Sequence, residues 1–407
     1  MNCGLLGRKL GHSYSPQIHS RIADYPYVLF EKEPEELEEF LHSGDFTGIN
    51  VTAPYKKDVI PFLDELSPVA KRLGAVNTIV RRDGKLIGHN TDYFGFLTMV
   101  RASGLEVAHK KVLVLGSGGA SNTAVAVLKE LGAHVVIISR NGENNYHNIY
   151  LHQDATVIVN TTPVGMYPHT DASPVDLSRF PALEGVLDVI YNPARTMLLR
   201  QAEKLGITAV NGLLMLVAQA KEASEWFSNH PLDDGLIPSI HRELRQQMEN
   251  IVLIGMPGCG KSTIGQEIAY RLGKRFVDAD AVLETKAGMR IPEIFATAGE
   301  SHFRALETAV LSELGKESGL VIATGGGCVT RQENYSLLHQ NGTMFWIRRD
   351  LNQLPTEGRP LSQANQLEEM YLVRKPLYKA FADHRVDNSA SIQAAANEII
   401  RIWEEGQ

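Results

Sequence analysis

The segment best suited to chemistry is GMPGCGKS, at residues 255–262. It matches the pattern GxxxxGK[ST] and lies between a strand-like run, NIVLI, and a helical run, IGQEIAYRLG. Glycines in such a turn let backbone N–H groups point at phosphate oxygens, and the helix adds the positive end of its dipole. The sequence predicts phosphoryl transfer with ATP and Mg²⁺, whereas a glycine-rich turn without a ligand is the alternative. The predicted nucleotide contacts are Gly258, Gly260, Lys261, Ser262 and Thr263, with Ser262 also on Mg²⁺.

Two acidic residues, Asp278 and Asp280, close the next strand pattern, FVDAD. Residues two apart on a strand point to the same side, so we expect both carboxylates to face the phosphate loop. One carboxylate can then hold the hydration shell of Mg²⁺ while the other faces a hydroxyl group of the acceptor.

Further charged groups describe the acceptor. Arg304 lies three residues before Glu307 in HFRALE, which puts both on one helix face. Three glycines at 325–327 end an apolar run and let backbone amides approach a ligand closely. Arg359 and Arg374 lie in a polar C-terminal region that we expect to be mobile. Two arginines beside a carboxylate favour a small anionic, hydroxylated acceptor, although each arginine alone is better explained by a surface charge.

In this order, the motifs of residues 250–407 resemble shikimate kinase. The resemblance implies that Asp280 holds the hydroxyls of shikimate and, beside Lys261, helps to activate the 3-hydroxyl. It also implies that Arg304 and Arg374 bind the substrate carboxylate. The remaining implied contacts are the backbone amide of Gly326 to the substrate, Asp278 to Mg²⁺ through water, and Arg359, on a lid, to the nucleotide.

A second glycine turn follows the strand pattern KVLVLG and precedes the helical run TAVAVLKELG. The pattern GxGG alone is a weak signal, and Ser121 replaces the third glycine of GxGxxG, but the flanking elements favour a dinucleotide site. Arg140 lies 22 residues beyond Gly118, where an acidic residue normally binds the ribose of NAD. An arginine there favours the 2′-phosphate of NADP, and a solvated surface arginine is the alternative. The predicted NADP contacts are Gly116, Gly118, Gly119, Ala120 and Arg140.

Three groups of hydroxyl, amide and charged residues precede this turn. They are Ser13 and Ser15 in HSYSPQIH, Asn50, Thr52 and Lys56 in NVTAPYK, and Asn77 and Asp92 in GAVNT and GHNTD. Alternate hydroxyls suit a carboxylate, although a helix cap also explains either serine. NVTAPYK follows a strand, where ligands bind in α/β sheets, although a single lysine or aspartate is more often a solvated charge.

In this order, these motifs resemble shikimate dehydrogenase, and NTTPVGM, VIYNPARTMLL and the helix with Gln219 extend the resemblance to about residue 249. The resemblance implies that Lys56 and Asp92 form the catalytic pair, which moves the proton at the 3-oxygen while hydride passes between C3 and the nicotinamide. The implied substrate contacts are Ser13, Ser15, Thr52, Lys56, Asn77, Asp92, Tyr191 and Gln219.

The elements that must position these residues are short apolar runs alternating with helical patterns, which predict an α/β fold. Asp83-Gly84 predicts a tight hairpin turn. With the two resemblances, we expect a split α/β substrate domain, an inserted Rossmann NADP domain, and a P-loop α/β domain similar to nucleoside-monophosphate kinases. The expected boundaries are 1–92 with 213–249, 93–212, and 250–407. A charged helix within 239–250 joins the halves, and residues 228–239 are predicted to be a loop.

Composition limits the possible partners. The 407 residues include 40 basic and 47 acidic side chains, a net charge of −7, which gives no reason to expect nucleic acid or an anionic membrane. No apolar run is long enough to span a membrane. Three scattered cysteines, Cys3, Cys259 and Cys328, fit a reducing cytoplasm better than a disulfide framework. The oligomeric state is left open.

The two halves lead to one metabolite. The first would reduce 3-dehydroshikimate to shikimate with NADPH, and the second would phosphorylate shikimate at the 3-hydroxyl with Mg-ATP. One alternative keeps the fold and changes the substrates, to quinate in the first half and another small polyol in the second. Another is a metabolite-binding regulator without turnover, although Lys56, Asp92, Lys261, Ser262 and Asp280 retain the groups that catalysis needs.

Overall fold

The computed structural model describes residues 2–11, 13–354 and 364–406, so the predicted lid arginine, Arg359, lies outside the described residues. The strands are β1 Cys3–Gly7, β2 Tyr27–Glu31, β3 Gly48–Val51, β4 Glu65–Leu66, β5 Thr78–Arg82, β6 Lys85–His89, β7 Lys111–Leu115, β8 His134–Ile138, β9 Val157–Asn160, β10 Gly185–Asp188, β11 Thr208–Val210, β12 Asn250–Ile254, β13 Arg275–Asp278, β14 Leu320–Ala323, β15 Gly342–Arg348 and β16 His384–Asp387.

The helices alternate with these strands along most of the chain. They are α1 Ser15–Ile22, α2 Leu37–Ser43, α3 Pro68–Leu73, α4 Asp92–Ala102, α5 Gly119–Glu130, α6 Met197–Leu205, α7 Leu213–Ser228, α8 Leu236–Met248, α9 Lys261–Leu272, α10 Ala279–Ala287, α11 Ile291–Lys316, α12 Glu333–His339, α13 Ala364–Phe381 and α14 Ile392–Glu405. No helix in the described part of the chain is long and apolar enough to cross a membrane.

The first sheet is mixed, with the strand order β2-β1-β3-β5-β6-β4. Strand β1 pairs parallel with β2 and β3, whereas β3 and β5 pair antiparallel. The predicted hairpin joins β5 to β6, and both Asp83 (φ 48°) and Gly84 (φ 76°) have the positive φ that a type I′ turn requires. Gly48 of β3 lacks a side chain where Phe227 of α7 packs on the sheet. Helix α7 thus covers the face of β3 that also carries Asn50.

The second sheet has five parallel strands in the order β11-β10-β9-β7-β8. Its inner strands β7, β9 and β10 are buried on both faces, with one apolar cluster around Val112 and Val159 and another around Leu113 and Ile158. Continuous apolar strands of this kind are typical of parallel sheets covered by helices on both sides. Helix α4 packs closely on α7, since a Cβ at Gly95 would lie 2.6 Å from the carbonyl oxygen of Met215.

The third sheet is also parallel, in the order β13-β14-β12-β15-β16. The central strand β12 is buried along its whole length, and helix α9 follows it after the loop at 255–260. Because this order changes direction beside β12, the carboxyl ends of β12, β13 and β14 face one crevice.

The chain forms two compact units. One contains residues 1–191 and 196–242, and the other contains 192–195 and 243–407. The sequence prediction of a loop at 228–239 is wrong at its end, because α8 begins at Leu236, before the predicted start of that helix.

Candidate active sites

Lys56 and Asp92 form a direct ion pair in the first unit. Lys56 lies in a turn after β3, at the carboxyl end of that strand, and Asp92 is the first residue of α4. Lys56 Nζ donates to Asp92 Oδ2 at 2.5 Å. Their side chains are 31% and 15% exposed, so the pair is shielded yet open to a small molecule. The predicted pair is therefore in contact.

Asn77 holds the other oxygen of the same carboxylate. Its Nδ2 donates to Asp92 Oδ1 at 2.9 Å and to the Thr91 hydroxyl at 3.0 Å. The backbone N–H of Thr91 donates to Asn77 Oδ1 at 2.7 Å, which fixes the orientation of the amide. Thr91 is fully buried and was not predicted as part of the site. Its position next to Asp92 in GHNTD is the sequence feature that could have indicated this role.

The two predicted serines open α1. Ser13 Oγ accepts the backbone N–H of Ser15 at 3.2 Å, so this hydroxyl stabilises a local turn. The cap residue of α1 is Tyr14, with no side-chain capping bond, so the cap alternative does not describe the serines. Tyr14 packs edge-on against Tyr191, with ring centroids 5.9 Å apart. The structure thus brings Tyr191 beside the serine turn, and burial raises the pKa of its phenol.

Gln219 and Thr52 complete the predicted substrate contacts of this unit. Gln219 Oε1 accepts the Thr91 hydroxyl at 3.4 Å, which places α7 beside the Lys56–Asp92 pair. Thr52 follows β3 and is half-buried, and its methyl group lies against Gly7, where a Cβ would be 2.8 Å away.

The glycine turn at 116–121 connects β7 to α5. Gly116 has a φ of 110°, and a Cβ there would lie 2.8 Å from Thr161 Oγ1. Ser121, which replaces the third glycine, is buried and donates to the Gly116 carbonyl at 2.8 Å. A Cβ at Gly118 or Gly119 would contact nothing within 4 Å, and no side chain caps α5. This open, uncapped helix start fits a pyrophosphate.

Arg140 lies just beyond β8. The Gly116 N–H donates to the Ile138 carbonyl at 2.8 Å, which holds the end of β8 beside the glycine turn. Arg140 is exposed and forms no hydrogen bond or ion pair with the rest of the described chain. A free guanidinium at this position fits a phosphate on the ribose of a dinucleotide.

The phosphate loop of the second unit has the backbone that its glycines predict. Gly258 has a φ of 82° and Gly260 a φ of 99°. No side chain caps α9, so its first N–H groups are free for phosphate oxygens. Lys261 is 8% exposed, and its Nζ donates to the carbonyls of Gly255 at 2.9 Å and Met256 at 3.1 Å. The ammonium of Lys261 is therefore held by two carbonyls of the phosphate loop itself.

Ser262 and Asp278 lie together at the start of α9. The Ser262 hydroxyl donates to Asp278 Oδ2 at 2.6 Å, and the other carboxylate oxygen caps α10 by accepting the N–H of Asp280. A hydroxyl and a carboxylate are the oxygen ligands that Mg²⁺ prefers, and it takes few protein ligands when it binds phosphates. These residues therefore fit the metal.

The position of Asp280 differs from the sequence prediction, which placed it on the same strand as Asp278. Strand β13 ends at Asp278, and Asp280 lies in the first turn of α10, so strand alternation does not bring the two carboxylates together. The helix turn does so instead. Burial raises the pKa of Asp280 to about 6, an effect that Lys261 and Arg304 oppose and the carboxylates of Glu307 and Asp278 reinforce.

Arg304 lies between two glutamates of α11. It donates to Glu307 Oε2 at 2.8 Å and to Glu300 Oε1 at 3.1 Å. Glu307 is buried, and its Oε1 has no hydrogen-bond partner among the described residues. Burial raises the pKa of Glu307, although Arg304 and Arg374 act against the shift. Glu300 was not predicted, yet it lies one helical turn before Arg304, at a spacing that pairs charges.

The three glycines at 325–327 admit side chains that a Cβ would displace. A Cβ at Gly325 would lie 2.7 Å from Asp280 Oδ1, and one at Gly327 would collide with the Arg304 guanidinium. The Gly326 carbonyl accepts from Arg374 at 3.2 Å and from the Tyr378 hydroxyl. These bonds orient the Gly326 peptide, and Tyr378 was not identified from the sequence.

The position of Arg374 also differs from the sequence prediction. It lies on α13, not in a mobile polar region, and is only 9% exposed. Arg374, Arg304, Asp280 and Lys261 all line one cleft of about 1350 Å³, which also reaches Asn388 and the start of α14. Asn388 donates to the Cys259 carbonyl at 2.8 Å and so supports the phosphate loop, a role that no local pattern indicated.

The first unit has clear relatives. Residues 5–79 match the family model of the shikimate dehydrogenase substrate binding domain. The NADP(+)-dependent shikimate dehydrogenase of Clostridium perfringens strain SM101 is 35% identical over 264 residues, which are 60% of this chain and 97% of the relative. The chain belongs to the shikimate dehydrogenase family.

Solved structures agree with this family assignment. Shikimate dehydrogenase 1 from Peptoclostridium difficile is 37% identical with a TM-score of 0.56, covering 60% of this chain and 98% of that one. The shikimate 5-dehydrogenase of Thermus thermophilus, solved with NADP(H) and shikimate, is 30% identical with a TM-score of 0.54. The match covers 60% of this chain and 99% of that one.

A second family model matches part of the remaining chain. Residues 257–404 match the family model of shikimate kinase. The predicted fold class is confirmed, since a dehydrogenase of the α/β class is followed by a P-loop kinase domain. The kinase match begins within the phosphate loop and extends into α14, so it includes all four of the cleft residues named above.

Proposed function

We propose that this chain is a bifunctional enzyme of the shikimate pathway. Its first unit reduces 3-dehydroshikimate to shikimate with NADPH, and its second unit phosphorylates the 3-hydroxyl of shikimate with Mg-ATP. The observation that carries the proposal is the presence of two complete charged centres, the Lys56–Asp92 pair and the group around Asp280 and Arg304. The two matched families name the same metabolite.

In the dehydrogenase, bound NADPH supplies the hydride that C3 receives. Lys56 delivers the proton to the 3-oxygen, and its bond to Asp92 holds the ammonium in place and allows the pair to exchange that proton. Asn77 keeps the carboxylate oriented from its other side. The further substrate contacts proposed are the hydroxyls of Ser13, Ser15, Thr52 and Tyr191 and the amide of Gln219.

The proposed NADP site lies at the start of α5, where no side chain caps the helix. The pyrophosphate contacts the turn formed by Gly116, Gly118, Gly119 and Ala120, where the space above two of the glycines is open. Arg140 binds the 2′-phosphate of the adenosine ribose, because it is exposed and no carboxylate of the described residues forms an ion pair with it.

In the kinase, Asp280 accepts the proton of the 3-hydroxyl, and Arg304 and Arg374 bind the carboxylate of shikimate, with the Gly326 amide beside it. Lys261 stabilises charge on the phosphates, which the N–H groups of Gly258, Gly260 and Thr263 surround. Ser262 and Asp278 hold Mg²⁺, which neutralises charge on the transferred group. Arg359 is proposed to contact the nucleotide by resemblance alone, since it lies outside the described residues.

The proposed domain organisation follows from these assignments. Residues 1–92 and 213–249 form the substrate domain, 93–212 the NADP domain, and 250–407 the kinase domain. The proposed location is the cytoplasm, which fits three free, buried cysteines and the use of NADPH and ATP.

A coupled assay tests the proposal. Purified protein receives 3-dehydroshikimate, NADPH and Mg-ATP, and the loss of NADPH and the formation of ADP are followed together. We expect NADPH loss first and ADP formation only after shikimate appears, while omission of NADPH should stop both. A higher kcat/KM for quinate than for shikimate, or ADP formation that ignores shikimate, would reject the assignment of substrates.

A further inference from the structure

Five side chains on the first sheet and beside it form one continuous series of hydrogen bonds, which ends at Asp92 of α4. The Tyr27 hydroxyl donates to Asn50 Oδ1 at 2.8 Å, and Asn50 Nδ2 donates to Thr78 Oγ1 at 3.1 Å. The Thr78 hydroxyl donates to Asn77 Oδ1 at 3.1 Å, and Asn77 Nδ2 donates to Asp92 Oδ1 at 2.9 Å. The series therefore reaches the carboxylate that Lys56 contacts on its other oxygen.

Backbone groups fix the direction of this series. Asn50 Nδ2 also lies 3.3 Å from the Asn77 carbonyl, which can only accept, so the oxygen of Asn50 must face Tyr27. The Thr91 N–H, which can only donate, lies 2.7 Å from Asn77 Oδ1, so the nitrogen of Asn77 must face Asp92. Each donor consequently points toward the carboxylate.

The middle of the series is sealed inside the fold. Asn50, Asn77 and Thr78 are buried, and Asn50 lies directly opposite Thr78 in the β3–β5 pair. His19 stacks on the Tyr27 ring with centroids 4.0 Å apart. Burial raises the pKa of Tyr27 well above its usual value, against an opposing contact with Ser15, so the phenol stays protonated and remains a donor.

We propose that Tyr27 is a positioning residue for the dehydrogenase, acting through Asn50, Thr78 and Asn77 on the orientation of Asp92. This inference rests on the proposed dehydrogenase function. Aligned hydrogen bonds in a buried chain polarise one another, which strengthens the last donor, the Asn77 amide. Loss of the first donor removes the 2.8 Å hydrogen bond of the buried Asn50 oxygen, which then has only His19 beside it among the described residues. The asparagine then competes for the Thr78 hydroxyl and weakens the hold of Asn77 on Asp92.

The first test compares Tyr27→Phe with Tyr25→Phe. Both variants remove the hydroxyl of a ring that contacts His19, but the Tyr25 hydroxyl bonds to His19 and Ser224, outside the series of bonds that leads to Asp92. In the reduction of 3-dehydroshikimate, we expect Tyr27→Phe to lower kcat about fivefold with KM within about twofold. Tyr25→Phe should leave kcat unchanged even if its unfolding temperature falls equally. Equal kcat losses in both variants, or a change in KM alone, would overturn the proposal.

The second test asks whether Tyr27 acts through Asp92. Tyr27→Phe is combined with Asp92→Asn, and the residual reduction rate is compared with that of Asp92→Asn alone. We expect no further loss in the double variant, because the carboxylate that the series positions is already absent. A fivefold loss in both backgrounds would indicate a general structural effect and overturn the inference.

Thr78→Val interrupts the same series of hydrogen bonds by a nearly isosteric change. It replaces Tyr27→Phe as the test variant if Tyr27→Phe does not fold. It should also lower kcat more than KM rises, and unchanged kcat would overturn the proposal. The shikimate kinase rate of every variant should equal that of the wild type, which confirms that the chain is folded in the second unit. A wild-type chain without dehydrogenase activity would reject the proposed function, and this inference with it.

Discussion

Lys56 Nζ lies 2.5 Å from Asp92 Oδ2, although 36 residues separate the two along the chain. The turn after β3 carries one partner and the first turn of α4 carries the other, so the pair exists only when the first sheet is assembled. A second charged centre, around Asp280, lies in the other compact unit. Substitutions in one centre should therefore leave the other reaction intact.

Lys56→Ala should slow the turnover of 3-dehydroshikimate by about 100-fold or more, because it removes the proton donor at the 3-oxygen. Lys57→Ala is the matched control, since Lys57 is adjacent but exposed. Steady-state NADPH oxidation measures the effect, and ADP formation from added shikimate should equal the wild-type rate for both variants. Loss of both activities in Lys56→Ala would contradict two independent sites.

Arg140→Ala should raise KM for NADPH about tenfold or more while changing KM for NADH little, because only NADPH carries the 2′-phosphate. Arg179→Ala removes another exposed arginine of the first unit, away from the end of β8, and should have no effect. Initial rates at varied concentrations of each cofactor measure the change. An equal effect on both cofactors would assign Arg140 to another part of the dinucleotide.

The kinase reaction should lose efficiency as pH falls through about 6. Burial raises the pKa of Asp280 to about 6, and the proposed mechanism needs the ionised carboxylate. The pH profile of kcat/KM for shikimate reports the free enzyme, so its acidic limb should lie near that value. Asp280→Asn should lower the rate at least 100-fold and remove this limb. An unchanged limb in the variant would assign it to a different group.

Asp280→Asn should also stabilise the second unit near neutral pH. The folded pKa of about 6 exceeds the usual value of 3.8, so the buried carboxyl favours folding when protonated. That contribution is complete below about 3.8, is lost as pH rises to about 6, and amounts to about 3 kcal/mol. The variant should therefore be more stable than wild type at pH 7.5 and nearly equal at the acidic end of this range.

Tryptophan fluorescence can measure this stability difference. Trp346 and Trp403 lie in the second unit and Trp226 in the first, so a Trp226→Phe background makes denaturant unfolding report the second unit alone. If Asp280→Asn raised the free energy of unfolding equally at every pH, burial of the ionised Asp280 carboxylate would not be the cause.

Gly327→Ala should raise KM for shikimate about tenfold with a smaller effect on KM for ATP. A Cβ at this position collides with the Arg304 guanidinium, which is proposed to bind the substrate carboxylate. Dehydrogenase activity of the same protein is an internal control. Unchanged KM for shikimate in a folded variant would show that Arg304 can move without consequence for binding.

Local patterns predicted much of the fold. The hairpin at Asp83-Gly84, the glycine turn before α5 and the phosphate loop before α9 all occur where the sequence placed them. In each case a few adjacent residues determine the backbone, since glycine permits the positive φ and the flanking strand and helix patterns fix the context.

Contacts between residues far apart in the sequence could not be predicted from local patterns. Strand alternation misplaced Asp280, which reaches the site through the first turn of α10, and the polarity of its neighbours misplaced Arg374, which is buried on α13. The support that Asn388 gives to the phosphate loop depends on the pairing of β16 beside β15.

The sequence by itself determined the types of chemistry, because the glycine loops and the order of charged motifs are local features that also identify the two families. Only the tertiary structure decided how the charged groups act on one another. The bonds from Tyr27 to Asp92 join residues on the three strands β2, β3 and β5, and the raised pKa of Asp280 follows from burial among neighbours on other elements. Strand order and burial arise from the packing of the whole domain, so adjacent residues do not encode them.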